Sequence, residues 1–433
     1  MFFVDQYLAV KTLAIIGTGI AGLGCAHFLH ARYDLTLYEQ HDYAGGHTNT
    51  LIVEEQGRAV PIDTGFMVFN HVTYPNLTRL FRELGVETKP TEMSFSVQHQ
   101  PSGLEYNGGS LNLLFGQRRN LLRPRHWRML AQISRFNAEA VPALDDPRFA
   151  ALSLRDYVAA RGYGDDLLQL YLVPMSSAVW STPPALMLDF PAMTLLRFWH
   201  NHGFLGLHTQ HPWFTVVGGA KSYVQKITAP FRDRVQLGQK AVSVSREQGR
   251  VKVHAADGSE QIFDKVILAC HGDQALALLA DPTDLEARLL REFQYQPNTA
   301  TLHTDPSFMP RTRRCWASWN YRLDAAPDGR VLPTTHYWMN SLQGVSRHEN
   351  YFVSLNCHDR VAPDRVLRRI DYEHPIFNLA TTAAQKELPQ LNRLATSQST
   401  YFAGAWFKYG FHEDGFTSAL DCARAITGEL LWT

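Results

Sequence analysis

The stretch that most constrains this chain runs from Thr12 to Glu39. A short apolar run, Leu13 to Ile16, has the character of a buried strand and stops at Gly17-x-Gly19-x-x-Gly22. Apolar residues then recur at helical spacing through Leu23, Ala26 and Leu29, and a second short strand, Leu35 to Tyr38, ends on Glu39. Strand, glycine turn, helix, second strand and terminal acid occur in the order of a dinucleotide-binding unit, and each glycine has a physical duty. Gly17 makes the tight turn, Gly19 lets backbone approach a pyrophosphate, and Gly22 lets helix and strand pack closely. The helix N-terminus offers free N–H groups and a partial positive charge to the phosphates, and Glu39 stands where a carboxylate meets ribose hydroxyls.

At 433 residues the chain can hold two or three domains, and 45% hydrophobic with 19% charged residues describes a globular protein. Lys plus Arg equals Asp plus Glu at 41 each, so no global field favours nucleic acid. The five cysteines, Cys25, Cys270, Cys315, Cys357 and Cys422, show neither a CxxC pair nor zinc spacing, so the expectation is buried thiols in a reducing compartment and no metal. Residues 12–31 are apolar enough to mimic a membrane span, but their three phosphate-loop glycines explain them better. Met1 to Lys11 carries Asp5 and no cleavage-site pattern, so no signal peptide and a cytoplasmic location are expected.

Beyond Glu39 come Gly45-Gly46-His47-Thr48 and Asp63-Thr64-Gly65-Phe66-Met67-Val68-Phe69-Asn70. Residues 76–214 turn more helical and aromatic, with helices expected over Leu77 to Leu84 and Leu154 to Arg161, each stopped by a glycine. Within them, 117–135 opens on arginines interleaved with Leu and Trp, a pattern suited either to peripheral contact with an anionic membrane or to a solvated helix face. Alternation returns at Val235 to Val244, Val251 to His254 and Lys265 to Cys270, read as strands. Leu302 to Asp305, Trp316 to Tyr321 and Thr335 to Asn340 have one aromatic face, for core or for the wall of a long apolar cavity. Near the end, Tyr401 to Trp406 is a strand running into a glycine turn, and Gly415-Phe416-Thr417 opens an apolar helix through Leu430.

The glycine pair after the ribose acid, together with this second strand–glycine–helix unit, resembles flavoproteins of the amine-oxidase superfamily. The resemblance implies an α/β fold of GR2-like architecture: a Rossmann-type FAD-binding domain, over 1–75, 215–275 and 395–433, and an inserted α+β substrate domain over 76–214 and 276–394. It implies FAD, held non-covalently, although His412 and Cys422 are nucleophiles in the right region. The residues it places on FAD are Gly17, Gly19, Gly22, Glu39, Gly45, Gly46 and His47, then Gly65, Phe66, Met67, Val242, Gly404 and Ala405, and finally Asp414, Gly415 and Phe416 at the last helix. Free amides of Gly415 and Phe416 would face the flavin, Val242 would hold the adenine by its backbone, and Asp414 would cap the helix from just before it. Trp406 stands where many relatives have an acid. Tyr409, His412 and Glu413 are the candidates for proton handling or substrate orientation.

Long strings such as Met93 to Val97, Tyr171 to Pro174, Tyr337 to Gln343 and Gly410 to Gly415 are similar to the flavoprotein region of plant cyclopropane fatty-acid synthases and its stand-alone bacterial relatives, one branch of which is similar to desaturases of methylated fatty acids. That likeness implies an FAD-dependent oxidoreductase acting on a fatty acyl chain of a phospholipid, with peripheral contact at the inner membrane face and a lipid methyltransferase as a possible separate partner. Two alternatives stay open. One is an amine or isoprenoid oxidase, for which Lys221 and Lys408 are the available lysines; the other is a non-catalytic flavin-binding partner of the methyltransferase.

Overall fold

The computed structural model describes residues 10–206, 209–325, 331–357, 359–395 and 399–432; residues 1–9, which carry most of the leader reading, lie outside these. Leu13, Ala14 and Ile15 have no exposed surface, because β1 (Thr12–Ile16) lies at the centre of a five-stranded sheet and is apolar on both faces. After α1 (Ile20–Leu29), β2 (Asp34–Tyr38) pairs parallel to β1. The remaining strands come from far along the chain. β3 (Val235–Gln236) lies beside β2, β4 (Lys265–Leu268) lies on the other side of β1, and β5 (Thr400–Phe402) lies beyond β4, all parallel. The order β3-β2-β1-β4-β5 reverses its direction of growth between β1 and β4. In such sheets a ligand crevice lies outside the carboxyl ends at that switch point.

The stretch Val235 to Val244, expected as one strand, is broken at Gly238, whose φ of 70° turns the chain. Val235–Gln236 joins the parallel sheet, whereas Ala241–Glu247 starts an antiparallel sheet with Arg250–Ala255 and Glu260–Phe263. A seven-stranded sheet combines Phe95–His99 and Leu104–Asn107 with five strands between Gln294 and Ile376. Helices α2 (Pro75–Glu83), α3 (Pro124–Ala143) and α4 (Ala192–Asn201) lie in the chain between β2 and β3. α2 and Leu154–Ala160 stop before Gly85 and Gly162, both left-handed, as their spacing predicts.

The last helix, α5 (His412–Thr427), begins three residues before the expected Gly415. It packs against α1, where Gly24 lacks a side chain: a Cβ there would lie 2.8 Å from Ala419 Cβ and 2.9 Å from Phe416 Cδ2. The whole is a mixed α/β fold. Among the described residues, no helix is long and apolar enough to cross a membrane.

Candidate active site

A cavity of about 1090 Å³ lies along the carboxyl ends of β1 and β4. Gly17, Gly19, Gly45, Gly46 and Gly65 line it. A Cβ on Gly22 would lie 1.9 Å from the Gly17 carbonyl oxygen, and one on Gly46 3.2 Å from Gly19 Cα. Two glycine turns therefore approach each other backbone to backbone, with no side chains of their own between them. α1 starts there with Gly19 as its cap and no side chain bonded to its first amides; Ile20 and Ala21 line the cavity. At the end of β2, the buried Glu39 lines the same cavity, its carboxylate accepting from Thr18 N (3.2 Å) and His41 N (2.9 Å). Val242 is left over where the ladder slips between Ala241 and Ser243, and this bulge puts it on the wall beside Lys240. His47 also lines the cavity, and its Nε2 is buried without a protein partner. A bare glycine slot, an uncapped helix N-terminus, a buried acid and an orphaned imidazole nitrogen fit an extended dinucleotide.

The C-terminal contribution differs from expectation. Gly404, Ala405 and Trp406 line the cavity, and Trp406, buried, donates from Nε1 to the Cys270 carbonyl (3.1 Å), so no carboxylate is offered at that point. Asp414, Gly415 and Phe416 do not line it. Gly415 N donates to Phe411 O (3.0 Å), so its amide is not free, and Phe416 packs on α1. Asp414 is inside the helix, in its first turn, and accepts from Phe411 N (3.0 Å) and Tyr409 N (3.2 Å); burial raises its pKa to about 7. Tyr409 to His412 form the wall instead.

The proton-handling candidates separate by their partners. The His412 ring stacks on Phe66, centroids 3.8 Å apart, and its Nε2 lies 2.6 Å from Tyr223 Oη and 3.0 Å from Thr48 Oγ1. Burial pushes its pKa down to about 3, so the ring is neutral and this nitrogen is already engaged with two hydroxyls. Glu413 does not reach the cavity at all: its carboxylate accepts from Asn76 N (3.0 Å) and Leu77 N (2.9 Å), capping α2, which removes it from the catalytic candidates. Tyr409 lines the wall, and burial raises its pKa, which keeps the hydroxyl protonated. Met67 lines the cavity beside Phe66, whereas Cys422 is fully buried and does not. Lys221 and Lys408 are exposed and do not line the cavity.

Part of the wall is a continuous aromatic surface. Phe198 lies 4.7 Å from Trp180 and 4.9 Å from Phe411, ring to ring, and Phe204 and Trp213 stack at 6.3 Å. From the seven-stranded sheet, Trp319, Tyr337 and Leu355 add to it. Their neighbours Trp316 and Trp338 instead flank the Arg313 guanidinium, at 3.5 and 4.8 Å. The acidic residues and the lysine lining the cavity, Glu39, Lys240, Asp371 and Glu373, come from other stretches: the end of β2, the approach to strand Ala241–Glu247, and strand Val366–Ile376.

Sequence reasoning missed His271, Tyr295, Tyr372 and His374, which line the cavity near His47. His271 stacks on Tyr295 at 4.1 Å and His47 on Tyr372 at 4.8 Å. Burial and neighbouring imidazoles hold His47 well below the usual histidine range, and His374 is at about 4. His271, just past β4 at the switch point, could have been found from its place at a strand's carboxyl end. Tyr372 and His374 carry no local signal. Elsewhere His303, His336 and Cys357 bring ligand atoms within 4.8 Å, but Ser354 Oγ lies 2.7 Å from His303 Nε2 and 2.6 Å from His336 Nδ1, making a hydrogen-bonded tie between strands.

A parallel sheet whose crevice leads from an uncapped helix N-terminus into an aromatic chamber is the frame of a dinucleotide-dependent enzyme. The chain belongs to the flavin containing amine oxidoreductase family, whose sequence model matches residues 20–427, and its cofactor is FAD. A search of curated protein sequences gives no match. Among solved structures the chain is similar to a fatty acid isomerase from P. acnes that produces CLA (15% identity, 94% of this chain and 97% of that one, TM-score 0.65). It is also similar to cyclohexylamine oxidase from Brevibacterium oxydans (16%, 96% and 98%, 0.66) and to a putrescine oxidase (13%, 97% and 99%, 0.66). At these identities the likeness is one of fold.

Proposed function

We propose that this FAD-dependent oxidoreductase acts on a long apolar substrate, namely an unsaturated or methyl-branched acyl chain of a phospholipid, in the manner of the flavoproteins related to cyclopropane fatty-acid synthases. The fold is shared by a fatty acid isomerase and by amine oxidases, so it does not choose between substrates; the apolar wall supports the lipid reading. The carrying observation is the aromatic and aliphatic surface from Trp180, Phe198, Phe204 and Trp213 to Trp319 and Leu355; the cavity's acids Asp371 and Glu373 stand on the separate strand Val366–Ile376. Each methylene buried there contributes about 0.8 kcal/mol.

Bound FAD supplies a hydride acceptor. The chain's own residues bind the substrate, orient it and exclude water. His412, pinned through Nε2 and stacked on Phe66, fixes the start of α5 against the cavity as a positioning residue. The Tyr409 hydroxyl, held protonated, is a donor on the same wall.

The test is anaerobic mixing of flavin-loaded protein with dispersed phospholipid bearing such chains, followed by flavin absorbance and mass spectrometry of the lipid. Bleaching with a lipid product lighter by two hydrogens is expected. Bleaching by a polyamine and by no lipid would replace this reading with amine oxidation, and bleaching by neither would favour a flavin-binding partner of a lipid methyltransferase.

A further inference from the structure

The chain is neutral overall, yet its charge is unevenly placed. No Asp or Glu occurs between Glu105 and Glu139, a span with six arginines, nor between Asp305 and Asp324, a span with four. The fold brings these segments together on one residue. The buried Glu105 carboxylate accepts from Arg311 N and Thr312 N (both 2.9 Å), while Asn120 Nδ2 donates to the Glu105 carbonyl (3.0 Å). Packing is close: a Cβ on Gly116 would lie 2.9 Å from Cys315 Sγ.

Around this junction the surface is basic and apolar at once. Leu122 is 88% exposed, Leu111 65%, Trp127 50% and Leu121 47%. They form one surface: Trp127 donates from Nε1 to Leu121 O (3.0 Å) and packs on Phe115 (4.8 Å), and Arg118 donates to the carbonyls of Phe115 and Asn112 beside Leu111. Arg125 pairs with Asp166, but among the described residues Arg118, Arg119, Arg123 and Arg128 form no ion pair with a carboxylate. Arg311 and Arg314 are exposed next to them.

We propose that this face docks on an anionic phospholipid bilayer, with the leucines and Trp127 entering the headgroup region and the arginines on lipid phosphates. Charge complementarity selects the anionic surface, and the projecting leucines select a bilayer over nucleic acid, whose phosphates offer them nothing to enter. The inference goes beyond the substrate reading and stands whether or not an acyl chain is oxidised.

Vesicle sedimentation tests it on the full flavin-loaded chain without turnover. The protein pellets with phosphatidylcholine vesicles containing phosphatidylglycerol at low salt, is released by high salt, and stays in solution with phosphatidylcholine alone. Arg118→Ala weakens partitioning about fivefold, from the ~1 kcal/mol that one arginine contributes near such a surface. Leu121→Ser with Leu122→Ser also weakens it, and Arg291→Ala, outside the patch, leaves it unchanged. Absence of binding to the anionic vesicles, equal binding by the patch variants, or tighter binding to duplex DNA than to vesicles would overturn the proposal.

Discussion

A methyl group on Gly22 would lie 1.9 Å from the Gly17 carbonyl oxygen, so Gly22→Ala requires α1 to move away from β1 and widens the turn that receives the pyrophosphate. The variant is expected to purify with at least roughly tenfold weaker FAD affinity, about 1.4 kcal/mol. The ratio of flavin to protein absorbance measures this, and an unchanged ratio would place the cofactor elsewhere. Glu413→Ala tests the opposite assignment. Loss of two backbone acceptors at α2 lowers stability by about 1–2 kcal/mol, seen as an earlier denaturation midpoint, while FAD content stays unchanged. Gly22 is legible from its spacing because its partner, Gly17, is five residues away. Glu413 is misread because it neighbours His412 in sequence, whereas its partner Asn76 lies 337 residues off.

At the level of elements, the first turn of α5 sets the cavity wall. Asp414 gathers the amides of Tyr409 and Phe411, so Asp414→Ala frees the Tyr409 to His412 turn and costs about 1 kcal/mol of helix capping. We expect Asp414→Asn, which keeps one acceptor, to retain more stability than the alanine variant; equal midpoints would show that capping is not its role. Apolar periodicity made the central strands and α2 readable, since both depend on local pattern. The break at Gly238 was not, because Val235–Gln236 is drawn off by pairing with β2, a strand some 200 residues earlier. Nor could spacing show that helix α5 begins at His412, since side-chain capping by Asp414 decides its first residue.

Across the whole molecule, buried histidines govern acid stability. Burial holds His202, His303 and His374 at about 4 and His412 at about 3, whereas in the unfolded chain they take up protons near pH 6.5. Between those limits the unfolded chain binds more protons, so stability rises with pH. Asp63 and Asp414 act in the other direction: their folded values of about 6 and about 7 lie above the unfolded aspartate value, so their contribution is complete in acid and is lost as pH rises through those values. The histidines held low, His47 and His336 among them, outnumber the two aspartates, so near pH 5 the unfolded chain binds the more protons and stability rises with pH. Denaturation midpoints are expected to climb from pH 4.5 to a maximum near 6.5 and to level or decline slightly by pH 8; a fall on going up from pH 4.5 would contradict this. The order β3-β2-β1-β4-β5 also bears on how the molecule is born. At 5–20 residues per second, the ribosome delivers Thr400–Phe402 roughly 20–70 s after Tyr38. Through that interval the nascent β1, apolar on both faces, first lacks β4 along one edge, and β4 then lacks β5, which makes the half-made chain a client for a chaperone that shields open strand edges.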